Sequence, residues 1–245
     1  MKKECLTLAQ EDLKCEKLLE WENIPVLSVH ITLPQCAGHG RRVQRFNRFY
    51  RRFCRSYLKY CETELLPRAA VSCREAMARS APWVMARAEL RYTVTLQSGA
   101  FLCLYTDAVE ENLPPRLTIR RADTWDMREA LPIPVQAFFP DRCAVRRRLL
   151  LFAREQACAQ SKAGSAAFYP NYRTLLRRKL NTRNYYLTEE GLCFFYPMYS
   201  VAPAAEQIVR FLLPYGEDGP FAPDALTDAS DSSNTMPRRG SAPQA

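Results

Sequence analysis

The chain has 245 residues, 47% hydrophobic and 25% charged, which is enough apolar material for a sizeable core. Lysine and arginine number 35 against 26 acids; from Glu217 onward there are five acids and two arginines, so the body before it carries 33 basic and 21 acidic residues, or +12. No apolar run approaches the ~20 residues of a bilayer-spanning helix, and the start, MKKECLTLAQEDLKCEKLLEW, is interrupted by Glu11, Asp12, Glu16 and Glu20 and so does not read as a secretory signal.

Residues 1–22 read as a polar, helical lead-in. NIPVLSVHITLP (23–34) is β-branched and bounded by prolines, which predicts a strand. After the loop QCAGHG comes an amphipathic helix over 41–65. Phe46, Phe49, Phe53, Tyr57 and Tyr60 recur at three- and four-residue steps on one face; Arg41, Arg45, Arg48, Arg52, Arg55 and Lys59 recur on another. Pro67 breaks the regular run, with a second helical piece to about residue 79.

In 87–109, alternation of Leu90, Tyr92, Val94 and Leu96 with polar residues, followed by QSGA and FLCLYT, predicts a hairpin. Residues 115–126 read as a further strand and the proline-rich ALPIPVQAFFP as a connection. Asp141 caps a helix over 142–160, and NYRTLLRRKL is a short helix. A strand over 183–188, the turn EEG and a strand over 192–199 follow, with Gly191 expected to supply a left-handed turn conformation. AEQIVRFLLPYG closes the body with a last strand. From residue 217 the composition is small, polar and proline-rich, as expected of a disordered tail. This order predicts an α+β fold: a mostly antiparallel sheet with helices packed on one face, in one domain over 23–216.

The phrase NYYLTEEGLCFFYPMYSVAP, preceded by a short helix and followed by IVRFLLPYG, resembles the C-terminal signature of RsiV-like domains. The resemblance is carried by Asn184, Tyr185, Tyr186, Leu187, Thr188, Gly191, Leu192, Phe194, Tyr196, Tyr199, Val201, Ala202, Pro203, Pro214 and Tyr215. It implies a curved antiparallel sheet carrying helices, in a bacterial domain not known as an enzyme. Relatives serve as the outward, ligand-sensing part of lysozyme-responsive membrane anti-sigma factors, or stand beside peptidoglycan deacetylases. Those relatives carry an N-terminal membrane helix or signal; this chain reads as having neither, and has PAAE where relatives often place a further aromatic.

Ten cysteines, none in a C-x-x-C pair, fit buried small hydrophobes in a reducing compartment, so the expected location is the cytoplasm. No metal or cofactor is expected. Cys36 and His39 are near enough in sequence for a nucleophile–base pair, but nothing elsewhere completes it. The adjacent carboxylates Glu110–Glu111 and Glu189–Glu190 are expected in loops, without the separation that hydrolysis needs. Leu192, Phe194 and Tyr196 face one side of a strand, Cys193 and Phe195 the other, so the strand is expected to be covered on both sides.

Two surfaces are candidate binding sites. Tyr196, Pro197, Met198, Tyr199 and Pro203, at the strand's end, form a candidate edge for a protein ligand. Arg41, Arg45, Arg48, Arg52 and Arg55 form a candidate anion-binding face, with lesser basic clusters at 146–148 and 177–179. The reading is a non-catalytic binding or regulatory module with a protein ligand. The alternative is unspecific polyanion binding, without the fingers, RNP motifs or helix-turn-helix of sequence-specific nucleic-acid recognition.

Overall fold

The computed structural model describes residues 4–223. Among these residues, nine strands and four α-helices build two sheets over two main cores. Strands β1 (Leu13–Trp21), β2 (Ile24–Leu33), β3 (Ala86–Ser98), β4 (Phe101–Glu111), β5 (Leu117–Asp126) and the two-residue β6 (Leu131–Pro132) lie side by side in that order. Every junction is antiparallel except β2–β3, where Leu27 to Ile31 run parallel to Ala86 to Leu90. A parallel pair needs a long crossover, and α1 (Arg41–Tyr60) with α2 (Leu66–Ala78) provides it.

The lead-in departs from expectation: residues 13–21 are strand, not helix. Glu22 and Asn23 both adopt positive φ (48° and 65°) and close a two-residue hairpin between Trp21 and Ile24. Leu13, Cys15, Lys17 and Leu19 then pair with Leu33, Ile31, Val29 and Leu27. Alternating charges that suit a helix are overruled by pairing with an exceptionally apolar neighbour.

The helical span is nearly continuous. Residues 61–65 form a π turn, in which the Leu66 N–H reaches back to the Cys61 carbonyl. Pro67 has no N–H and its ring would strike a carbonyl four residues back. The wider turn absorbs both, so α2 follows with Pro67 in its first turn.

α1 and α2 cover one face of the six-stranded sheet. Val43, Phe46, Tyr50, Cys54 and Tyr57 form the buried stripe of α1, packed on Leu27, Ile31, Leu102, Leu104 and Trp125. Mid-core, the Trp125 indole N–H donates to the Tyr50 hydroxyl (3.0 Å), which donates to Asp123 (3.4 Å).

The last three strands form their own sheet rather than extending the first: β7 (Tyr185–Leu187), β8 (Gly191–Tyr196) and β9 (Val209–Pro214), with β8 in the middle. With α3 (Val145–Lys162) and α4 (Tyr172–Lys179) they enclose a second core, which also takes Phe101 and Cys103 from the far face of β4. The expected alternation in β8 holds. Leu192, Phe194 and Tyr196 enter this core, while Cys193 and Phe195 join Tyr186 against Tyr105 of the large sheet. The fold is thus α+β, with a mostly antiparallel sheet and helix packed on it.

Three local expectations need correction. Glu110 lies in β4, not a loop, and is 1% exposed. Gly191 does not adopt positive φ; glycine is needed because a Cβ there would lie 2.3 Å from the Leu213 carbonyl oxygen. The tail does not leave the body at residue 217: the Phe221 N–H donates to Phe138 O (2.8 Å), Arg148 donates to Asp218 O, and Gly219 and Pro220 are buried. Residues 224–245 of the expected disordered tail lie outside the described residues.

These contacts yield three stability predictions. Gly191→Ala should cost about 3 kcal/mol or more, read from chemical denaturation, because the obstacle is backbone. Tyr50→Phe should cost about 1–3 kcal/mol, since it strands the Trp125 donor and one oxygen of the Asp123 carboxylate. Tyr57→Phe should be neutral or stabilising by contrast: the buried Tyr57 hydroxyl makes no hydrogen bond of normal geometry among the described residues.

Candidate anion-binding surface

The amphipathic period of α1 that buries Phe46, Tyr50 and Cys54 turns its arginines outward. Arg41, Arg45, Arg48, Arg51, Arg52 and Arg55 are all exposed. Five of the six line a groove of about 730 Å³ between α1 and the preceding loop, together with Gly38, His39, Gln44 and Asn47. Arg52 is exposed outside this lining. Arg51 is part of it and was missed in the sequence, where the three-and-four count ran through its neighbour Arg52.

No carboxylate lines the groove. Among the described residues none of the six arginines forms an ion pair: Arg45 donates to the Glu129 carbonyl (3.0 Å) and Arg55 to the Arg51 carbonyl (3.4 Å). Arg42 behaves otherwise, turning sideways to donate to the carbonyls of Glu4 (2.9 Å) and Arg128 (2.5 Å).

The groove's other wall is fixed by a side-chain clasp. The Asn47 amide accepts from the Cys36 N–H (2.8 Å) and donates to the Cys36 carbonyl (3.0 Å). A side chain of α1 thereby stands in for a strand partner and ties the loop to the helix. Gly38 and Gly40, at φ 84° and 111°, let the loop turn into α1. His39 lines the groove, but Cys36 is 4% exposed and burial pushes its thiol up to about 12. That is opposite to the lowered pKa of an activated thiolate.

Other arginines are consumed by the fold. Arg120 grips Asp107 with two bonds of 2.7 Å, and its guanidinium lies 3.7 Å from the centre of the Tyr105 ring. Arg68 (3.0 Å) and the Tyr60 hydroxyl (2.7 Å) hold the buried Glu110. Arg121 reaches Asp123 at 3.2 Å and lies over Phe49 and Phe53. In the lesser clusters, Arg146 donates to the carbonyls of Leu180 and Arg177, pinning α3 to α4.

The aromatic edge is mostly a clasp. Tyr196 is fully buried and donates to the Leu176 carbonyl (3.1 Å), so it cannot meet a partner; the sequence expectation fails because β8 is capped by α4. Pro197 is exposed and Pro203 half-buried. The Met198 sulfur accepts from the Thr118 N–H (3.4 Å) and the Tyr199 hydroxyl donates to the Arg116 carbonyl (2.9 Å), which fastens the turn to β5. Tyr199 retains 38% exposure at a positive φ of 61°.

Among the described residues, no helix is long and apolar enough to cross a membrane. None of the curated proteins compared with the chain matches it. A crystal structure of a DUF3298 family member from Bacteroides fragilis is similar, with TM-score 0.59 and 14% identity over 88% of this chain and 92% of that one. A DUF3298 family protein from Pseudomonas aeruginosa gives TM-score 0.48 and 16% identity over 87% and 93%. At these identities the first likeness speaks for the fold alone. Residues 138–216, the segment that builds the second core, match the model of the family described as "Protein of unknown function (DUF3298)".

Proposed function

We propose that the chain is a non-catalytic binding module whose ligand is a protein, held through an acidic segment in the arginine groove of α1. The observation that carries this reading is the set of six exposed arginines, none ion-paired among the described residues, five of them along a groove without a carboxylate. Elsewhere Arg68, Arg120 and Arg121 are each paired with a buried or nearly buried carboxylate, so a ridge of arginines without such partners is a distinct surface. Guanidinium is suited to bidentate capture of carboxylates. Residues three and four apart on a helix stand ~5–6 Å apart, so a straight acidic helix of the same period matches the row charge for charge.

A protein ligand is favoured over nucleic acid by the aromatic chemistry. Single-stranded nucleic acid is held by stacking on exposed rings. On α1, Phe46 and Tyr50 are fully buried, and Phe49 and Phe53 lie beneath the Arg121 guanidinium. The RsiV-like phrase between Asn184 and Pro203 supports a sensory or regulatory role. Ten free cysteines support a reducing compartment, and we place the protein in the cytoplasm.

The test is capture from nuclease-treated native lysate at moderate salt. The full chain is compared with the triple variant Arg48→Glu, Arg51→Glu, Arg55→Glu. One stoichiometric protein should be retained by the wild type and lost by the variant. Recovery that disappears with nuclease would instead establish the polyanion reading, with affinity falling steeply as salt rises. The variant should change unfolding free energy by less than about 1 kcal/mol, because each site is exposed and without an ion-pair partner; a larger loss in denaturant titration would mean these arginines hold the fold.

A further inference from the structure

Away from the α1 groove, α3 and α4 enclose a second basic pocket. Arg154, Cys158 and Lys162 stand four residues apart on α3, so one helical ridge carries them, each cation about 6 Å along the axis from the cysteine. Glu155 and Ala159 form the neighbouring ridge, and Arg173 reaches across from the first turn of α4. These six residues line a cavity of about 720 Å³, a size that takes a small organic ligand. Arg173 marks its centre, with Nη2 4.0 Å from the Cys158 sulfur.

The fold does not consume these cations. Among the described residues Arg154, Lys162 and Arg173 form no ion pair. The Arg154 Nε is buried and has no hydrogen-bond partner, although buried polar groups are ordinarily paired. Earlier on the same helix, Arg146 and Arg148 are spent on the carbonyls of Leu180, Arg177 and Asp218.

We propose that this pocket binds a small phosphate monoester, its phosphate held between Arg154, Lys162 and Arg173 and its remainder lying toward Glu155. A phosphate monoester is close to a dianion at neutral pH and offers three terminal oxygens, one for each cation; a carboxylate offers a single charge and two oxygens. Guanidinium forks take phosphate oxygens in pairs, and an ammonium adds a point charge. Glu155, the one carboxylate of the lining, repels a second anionic group and accepts from a hydroxyl or ammonium on the remainder. Ala159 and the arginine stems flank the ligand's carbon skeleton. Glycerol 3-phosphate carries this chemistry free in solution, and phosphatidic acid presents the same monoester at a lipid surface.

Cys158 serves as the reporter, because a ligand seated on Arg173 covers its thiol. The full chain is alkylated with N-ethylmaleimide at constant ionic strength, and each cysteine is followed by peptide mass spectrometry. The additions are glycerol 3-phosphate, succinate, and vesicles of phosphatidic acid or of phosphatidylglycerol, a phosphodiester surface. Glycerol 3-phosphate should slow alkylation of Cys158 about tenfold at roughly ten times its half-protecting concentration, with the exposed Cys5 and Cys143 unchanged. Arg173→Ala alters an exposed side chain and should keep the fold while raising that concentration about tenfold or more, as the loss of a charged hydrogen bond requires. Arg154→Ala should act the same way; where it destabilises α3, Arg173→Ala decides alone. Protection by phosphatidic acid vesicles but not by the soluble ester would support the site with a lipid headgroup as its source. Equal protection by succinate or by phosphatidylglycerol, slowing shared with Cys5 and Cys143, protection that persists in Arg173→Ala, or none by either monoester overturns the proposal.

Discussion

Strand β4 is covered on both faces, and the two cores are organised around that constraint. Leu102 and Leu104 point into the helix-covered core, while Phe101 and Cys103 point into the core closed by the small sheet. A strand with no solvent face has nowhere to place charge, yet β4 carries Asp107 and Glu110. Each is held by charge-assisted bonds from a neighbouring element: Asp107 by Arg120 of β5, Glu110 by Arg68 of α2 and Tyr60 of α1. Leaving either carboxylate unpaired would cost several kcal/mol by desolvation, so these contacts fix the register of β5 and the seating of the helices together.

The arginines therefore divide by partner into two populations. One belongs to the fold, and Asp123 shows how finely it is balanced: desolvation raises its pKa even though Arg121 and Tyr50 both favour the charged form. A raised carboxyl contributes its stability below the ordinary carboxylate range and loses it as pH rises through the raised value. The pair is thus retained against its own electrostatics, with the indole–phenol–carboxylate chain giving α1 a single seating on β5. The other population, along α1, is used by no carboxylate of the described fold. Its long stems shield the helix, but their heads are left to solvent.

Much of this was legible because period and burial coincide. The 3.6-residue stripe of α1, the β3–β4 hairpin and the two-sided packing of β8 all follow from side-chain spacing alone. Residues 13–21 were misread because their charges sit at helix-like intervals, while the decisive fact, pairing with β2 across Glu22 and Asn23, is nonlocal. Gly191 was recognised as necessary for the wrong reason, since the close approach of Leu213 comes from a strand some twenty residues on. Tyr196 looked like an edge because nothing in its own strand announces that α4 closes over it. Arg51 was passed over because two adjacent arginines compete for one helical row, and only the loop wall decides which of them faces the groove.

The distribution of work between the two cores bears on where specificity resides. The family-matched residues 138–216 build the second core, and most of their aromatic chemistry is spent inside the fold: Tyr185, Phe194 and Tyr196 enter that core, while Tyr186 and Phe195 are buried against the large sheet. The arginine row stands outside that segment, on a helix held at three points by the Tyr50–Asp123 bond, the Asn47 clasp and the Arg42 donations. A rigid support matters because each flexible side chain immobilised at an interface costs ~0.5–1.5 kcal/mol. Anchoring the backbone limits the ordering cost to the guanidinium arms. The exposed residues of this one helix can therefore change without disturbing either core.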